Sequence, residues 1–180
     1  MEAQELVNEL QDKRTQEAAF RKLVQLYKER LYWHIRRIVL DHHDTDDVLQ
    51  NTFIKVYTNI NGFRGESSIY SWMYRIATNE AISFLNAQAR KNNITNEELK
   101  SQKIKNLRAD VYFEGDEIQY KLQEALAQLP EKQLLVFNMR YYDEMKYEDI
   151  SRILHTSVGA LKASYHHAAK KIEEYLKNTD

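Results

Sequence analysis

The 180-residue chain contains only four glycines and one proline. Sheets joined by tight turns draw heavily on both residues, so long helices separated by short polar breaks are favoured. The apolar spacing agrees. Between Gln16 and Leu40, Phe20, Leu23, Val24, Tyr27, Leu31, Ile35, Ile38 and Val39 recur at helical intervals. The polar break DHHDTDD follows. Asp44 or Thr45 is placed to cap the next helix, with Asp46 and Asp47 in its electropositive first turn. That helix carries Leu49, Phe53, Val56, Tyr57 and Ile60 on one stripe and ends at Asn61-Gly62. A third long helix runs from near Ser68 to about Arg90.

Residues 91–115, KNNITNEELKSQKIKNLRADVYFEG, lose the pattern. A short helix around Asn96–Leu107 fits, but the polar composition reads as a flexible linker. Periodicity returns with Ile118, Leu122, Ala125, Leu126 and Leu129. Pro130 stands at the first position of another helix, which carries Leu134, Val136, Phe137 and Tyr141. Strand-like alternation and internal repeats are absent. The expected fold is all-α: two small helical domains, 1–92 and 117–180, joined by a flexible linker at 93–116.

The chain has no cysteine, so disulfide scaffolds and thiol chemistry are excluded. No apolar run approaches a membrane span and no signal peptide opens the chain, which gives a cytoplasmic expectation without membrane insertion. The formal net charge is only -1, but its distribution is uneven. Asn61–Arg108 holds eight basic residues against four acidic ones, and Ala109–Pro130 holds five acids against Lys121. Separate surfaces for separate partners are implied. There is no phosphate loop, no nucleophile–base pair and no metal-ligand spacing, so neither an enzyme, a cofactor, a bound metal nor a small-molecule substrate is expected.

Near the C-terminus, YEDISRILHTSVGALKASYHHAAKKIEEYL contains two helical stripes. Tyr147, Ile150, Ile153 and Leu154 form the first. Val158, Leu161, Tyr165, Ala168 and Ile172 form the second. The three-residue break His155-Thr156-Ser157 lies between them, with Thr156 or Ser157 as cap. This is the pattern of a helix-turn-helix, whose second helix enters the DNA major groove. A plain helical hairpin fits the same spacing. The outward face of the second helix carries Lys162, Ser164, His166, His167 and Lys170, which suit phosphates and base edges or a merely solvated face. His155 stands where such turns usually place glycine. His166 and His167 diverge by about 100 degrees on a helix, so they do not form a metal pair.

The stretch Phe63–Arg75, FRGESSIYSWMYR, is rich in aromatics and arginine. On a helix from Ile69, the residues Ile69, Trp72, Met73, Ile76, Ala77 and Phe84 share a core side. Ser71, Tyr74, Arg75 and Thr78 share the other. Tyr70 and Tyr74 are then candidates for an exposed stacking surface. Phe63, Arg64, Gly65, Glu66 and Ser67 form a loop able to close round an unstacked base. The same aromatics could instead all pack together.

Two segments resemble a known family. DTDDVLQNTFIKVYTNINGFRGESSIYSWMYRIATNEAISFLNAQARK resembles region 2 of the extracytoplasmic-function (ECF) sigma factors of bacterial RNA polymerase. LPEKQLLVFNMRYYDEMKYEDISRILHTSVGALKASYHHAAKKI resembles their region 4. The resemblance implies that Asp46, Asp47, Gln50 and Phe53 dock on core RNA polymerase. It implies that Phe63, Arg64, Ser67, Ser68, Tyr70, Tyr74, Arg75 and Asn79 melt and hold the minus-ten promoter element, with Arg90 and Lys91 on adjacent duplex. It implies that Thr156, Ser157, Lys162, Ser164, His166, His167, Lys170 and Lys171 read the minus-thirty-five element. An anti-sigma factor is an implied partner, held by exposed apolar groups. Family members often have arginines where Ser164 and His167 stand, so less guanine readout is expected here. The rival readings are a dimeric helix-turn-helix regulator acting without polymerase and an all-α protein-binding adaptor.

Overall fold

A computed structural model of the chain describes residues 2–107, 109–110 and 115–179. Arg108 of the basic stretch and residues 111–114 of the expected linker lie outside the described residues. The helices are α1 (Glu2–Gln11), α2 (Gln16–Val39), α3 (His42–Asn59), α4 (Ile69–Lys91), α5 (Asn96–Leu107), α6 (Glu117–Ala127), α7 (Glu131–Phe137), α8 (Tyr147–Leu154) and α9 (Val158–Asn178). A 3-10 turn at Ile60–Gly62 follows α3, and a π turn at Asn138–Tyr142 continues α7. No strand occurs among the described residues.

Helices α2, α3 and α4 form an N-terminal bundle round Leu23, Leu31, Ile35, Val56, Met73 and Ala77, all fully buried. Short polar side chains start its helices. Ser68 Oγ accepts from Ser71 N at 3.1 Å and begins α4 as the sequence indicates. Helix α3 begins earlier than expected, because Asp41 is the cap and accepts from Asp44 N at 2.9 Å. Helix α1 has no counterpart in the sequence reading. It buries Leu6, Val7 and Leu10, while Gln11 Nε2 donates to the carbonyls of Ile60 and Phe63. It thereby braces the loop that leads into α4.

Helices α6 to α9 form the C-terminal bundle, centred on Leu126, Leu134, Phe137, Ala168 and Ile172. The tether between bundles is largely helical. Thr95 and Glu98 form a reciprocal capping box, Thr95 N to Glu98 Oε2 at 3.0 Å and Glu98 N to Thr95 Oγ1 at 3.1 Å. Helix α5 buries Leu99, Ile104 and Leu107. Lys103 pairs with Asp44 at 2.8 Å, and Tyr120 Oη donates to Ile104 O at 3.2 Å. A polar segment is thus docked by three well-spaced apolar residues and its charged edges.

The two bundles share a seam. Leu135, Val136, Met139, Ile150 and Ile153 of the C-terminal half join the N-terminal core. Helix α8 lies on α4, and the π turn lies on α2.

Candidate nucleic-acid and polymerase interfaces

Three surfaces collect the residues singled out by sequence. The first is the outer edge of α3. Asp46, Asp47 and Gln50 are exposed there, whereas Phe53 is buried at 9% exposure and belongs to the core. Below Gln50 the same edge becomes apolar. Ile54 and Tyr57 are exposed beside Phe20 and Val24 in a groove of about 450 Å³.

The second is the loop before α4. Gly65 has φ 76°, a left-handed conformation that glycine adopts without penalty. The turn it permits folds Phe63, Arg64, Glu66 and Ser67 round a shallow cavity of about 100 Å³, closed by Trp72 and Arg75. Phe63 is itself buried, its ring 5.4 Å from that of Trp72. Trp72, assigned by periodicity to the core, is only partly buried and lines this cavity. Arg64, Ser68, Asn79, Arg90 and Lys91 are exposed, and Ser67 and Arg75 are partly exposed.

Tyr74 corrects an expectation. Helical spacing makes it a candidate for an exposed stacking surface, but it is fully buried. Its ring lies 3.9 Å from that of His34, and its flank meets Tyr70 at 5.0 Å. Ser71 and Thr78 on the same face are buried too. The physical reason is that α2, through His34, and α8 cover this side of α4, so the helix is enclosed on both faces. Tyr70 is partly buried, stacked on Tyr27 at 5.2 Å with the Arg30 guanidinium 4.1 Å above its ring. Burial pushes its phenol up to about 12. Burial pushes Tyr74 further up, so both hydroxyls stay neutral.

The polar centre of the seam is His34. Its Nε2 lies 2.7 Å from Thr78 Oγ1, which donates to Tyr74 O at 2.8 Å. Thr78 therefore has no proton left for the ring, and Nε2–H is the donor. Burial drives the His34 pKa down against the attraction of Asp143, 3.7 Å from Nδ1. Asp143 experiences its own upward push from burial, which the polar groups of His34 and Tyr74 facing it and the charge of Arg37 overcome, leaving it below the ordinary carboxylate value. A neutral His34 contributes little charge, so the ion that keeps Asp143 ionised is Arg37, at 2.8 Å.

The third surface is the helix-turn-helix. Helix α8 ends at His155 in the left-handed conformation, φ 51° and ψ 46°. Ser151 Oγ donates to Thr156 O at 2.6 Å, and Thr156 Oγ1 to Leu154 O at 3.1 Å, fastening the turn. Ser157 Oγ then caps α9 by accepting from Ala160 N at 3.3 Å. Lys162, His166, His167, Lys170 and Lys171 are exposed on α9, and Ser164 and Thr156 are partly exposed. The first two turns also expose Gly159, Ala160 and Ala163, a low profile that allows close approach. No group of side chains suited to holding a metal ion occurs among the described residues, and no described helix is long and apolar enough to cross a membrane.

An acid-edged helix, a braced aromatic loop and a capped helix-turn-helix in one chain define a two-part transcription factor. Residues 23–91 match the family model for sigma-70 region 2, and residues 119–172 match that for sigma-70, region 4. The RNA polymerase sigma-H factor of Pseudomonas aeruginosa is 31% identical over 96% of this chain and 93% of its own. The ECF RNA polymerase sigma-E factor of Haemophilus influenzae is 30% identical over 88% of this chain and 87% of its own. The fold is shared with CnrH, solved in complex with the cytosolic domain of CnrY, at a TM-score of 0.73, 17% identity and 99% coverage of both chains. It is also shared with RpoE of Bartonella quintana, solved with the anti-sigma factor NepR, at a TM-score of 0.67, 18% identity and coverage of 89% of this chain and 98% of that one. The chain belongs to the sigma-70 family. Within it, the chain is an ECF-type sigma factor, a transcription initiation factor that acts with RNA polymerase on promoter DNA.

Proposed function

We propose that this sigma factor docks on core polymerase through the acidic outer edge of α3, with Asp46, Asp47 and Gln50 meeting a basic helical partner. Residues 1–92 act as the melting domain and 117–180 as the upstream anchor, with 93–116 spanning between them. The cavity of Phe63, Arg64, Ser67, Trp72 and Arg75 receives a base unstacked from the minus-ten element. Stacking is worth about 1–3 kcal/mol per base, comparable to the few kcal/mol needed to unstack one, so no nucleotide hydrolysis is required. Helix α9 enters the major groove at the minus-thirty-five element. The exposed apolar residues Leu26, Trp33, Ile54, Tyr57, Ile118 and Tyr141 offer contacts for an anti-sigma factor. The factor works in the cytoplasm and catalyses no reaction itself.

The observation that supports this reading best is the Gly65 loop, whose small cavity is walled by two aromatic rings and two guanidiniums. A helix-turn-helix repressor has no use for it. Reconstitution with core polymerase on a genomic fragment library tests the reading. Promoter-specific transcripts dependent on the factor are expected, and their absence from every fragment refutes it.

A further inference from the structure

The two DNA-reading parts touch each other. Arg75, on the cavity wall, lies with Nη1 2.9 Å from Nε2 of His155, in the turn of the helix-turn-helix. Promoter elements centred near positions minus ten and minus thirty-five are about 25 base pairs apart, roughly 85 Å at about 3.4 Å per base pair. The closed arrangement cannot reach both. It also covers the α4 face that holds Tyr74.

The seam has an apolar part and a charged clasp. Asp143, at the end of the π turn, has a side chain 10% exposed and pairs with Arg37 of α2 at 2.8 Å. The Arg37 guanidinium also lies 4.6 Å from the centre of the Tyr142 ring. Yet the seam strands polar atoms. His34 Nδ1, Tyr70 Oη, Tyr74 Oη and Asp143 Oδ2 face one another in the seam without closing to well-formed hydrogen bonds, and the Asn138 amide has none to the described residues. Buried polar groups left without partners weigh against closure, and opening hydrates them. Such a seam favours one docking register and remains separable.

We propose that the Arg37–Asp143 pair is a latch that holds the C-terminal domain closed over the melting domain, so that the free factor inhibits itself without a second protein. Binding to polymerase undoes the latch. This rests on the sigma-factor reading above, because inhibition has meaning only if both elements must be contacted.

The absence of cysteine permits clean labelling. Lys22→Cys and Glu174→Cys, both at exposed sites, carry a fluorescent donor and acceptor in the full chain. Wild type is expected to give one high-transfer population. Asp143→Ala and Arg37→Ala each shift the closed-to-open ratio by about tenfold or more, since removing one ion of a partly buried pair leaves the other uncompensated. The swap Arg37→Asp with Asp143→Arg restores high transfer. At limiting core polymerase the single variants give more promoter transcript than wild type. Far-ultraviolet circular dichroism checks the helix content, and if Asp143→Ala loses helix the comparison is made with the isosteric Asp143→Asn. Single variants whose closed-to-open ratio is unchanged from wild type, a swap that does not restore that ratio, or shifted variants without extra transcript each overturn the latch. If wild type itself yields no transcript, the sigma-factor reading fails, while the transfer measurements still decide the latch.

Discussion

The Tyr74 ring lies 3.9 Å from the His34 ring, and neither side chain has measurable exposure. One residue comes from α4 and the other from α2, and the C-terminal domain seals them in. Tyr74 is therefore structural in the free protein. Tyr74→Ala is expected to cost about 3–5 kcal/mol, as for other large aromatic truncations in a core. Tyr74→Phe keeps the ring and removes only a hydroxyl that faces Asp143 and Tyr70 without a well-formed hydrogen bond, so its cost should be far smaller. Thermal unfolding of both variants separates the two outcomes. A stable Tyr74→Ala variant would return this residue to the exposed role suggested by helical spacing.

The same contact predicts a pH dependence. His34 faces Asp143 of the π turn, Tyr70 and Tyr74 of α4 and, one turn along its own helix, Arg37. Its pKa is lowered by burial, so the closed fold binds fewer protons than an opened one, where the ordinary value of about 6.5 returns. The stability tied to a neutral His34 is fully present above about pH 6.5 and is lost as pH falls toward the depressed value. Asp143 adds a second loss only at stronger acid, below about pH 4, because its pKa is also lowered. Unfolding midpoints measured across this range should fall as the solution passes below neutral. His34→Gln, which keeps a donor for Thr78, should flatten the first step and leave the second.

The long helices were legible because each carries one dominant apolar stripe and a short polar cap. Ser68, Pro130 and Ser157 mark helix starts as the sequence suggests. Asp41 was missed because His42 and His43 look like part of a break, although both are helical. Helix α5 fits the spacing over Asn96–Leu107, and although its polar composition suggests a linker, Thr95 and Glu98 carry the spacing of a capping box. The burial of Tyr74 had no local signal. Tyrosine suits either a wet surface or a polar interior, and a second covered face on α4 depends on a domain far along the chain. Trp72 packs against the core as its place in the apolar stripe implies, while one edge of its ring also lines the cavity, for which the stripe gives no sign.

Arg64 should separate melting from folding. It is exposed and sits at the mouth of the Phe63–Trp72 cavity. Arg64→Ala should change stability by no more than about 0.5 kcal/mol, as at most surface sites. It should slow promoter opening with polymerase, read by a fluorescent base analogue in the minus-ten strand. Unchanged opening would remove Arg64 from the strand-capturing set.

The α3 edge makes a claim about polymerase affinity. Asp46 and Asp47 are exposed, and Asp46 touches only His42, at 3.4 Å, among the described ion pairs. Reversing both charges with Asp46→Lys and Asp47→Lys should spare the fold and weaken core binding by about tenfold, or about 1.4 kcal/mol. The loss should shrink as salt rises, because exposed charges are screened. A titration of labelled factor with core polymerase at two salt concentrations measures both effects.

The outward face of α9 carries no arginine. Ser164 and His167 stand on α9 where an arginine would be needed to grip guanine, and the first two turns are lined by Gly159, Ala160 and Ala163. Serine cannot make the two parallel bonds by which arginine grips guanine O6 and N7, and one imidazole edge cannot span both acceptors. The lysines at 162, 170 and 171 supply charge that would hold the helix on phosphates without naming a base. Selection of transcribed promoters from a randomised minus-thirty-five library should therefore return little guanine opposite these two side chains. Ser164→Arg and His167→Arg should each add a guanine preference of about 1–3 kcal/mol at one position. A strong guanine requirement in the wild-type selection would mean that His166 or Lys162 reads the base, and the roles assigned along α9 would have to move by one helical position.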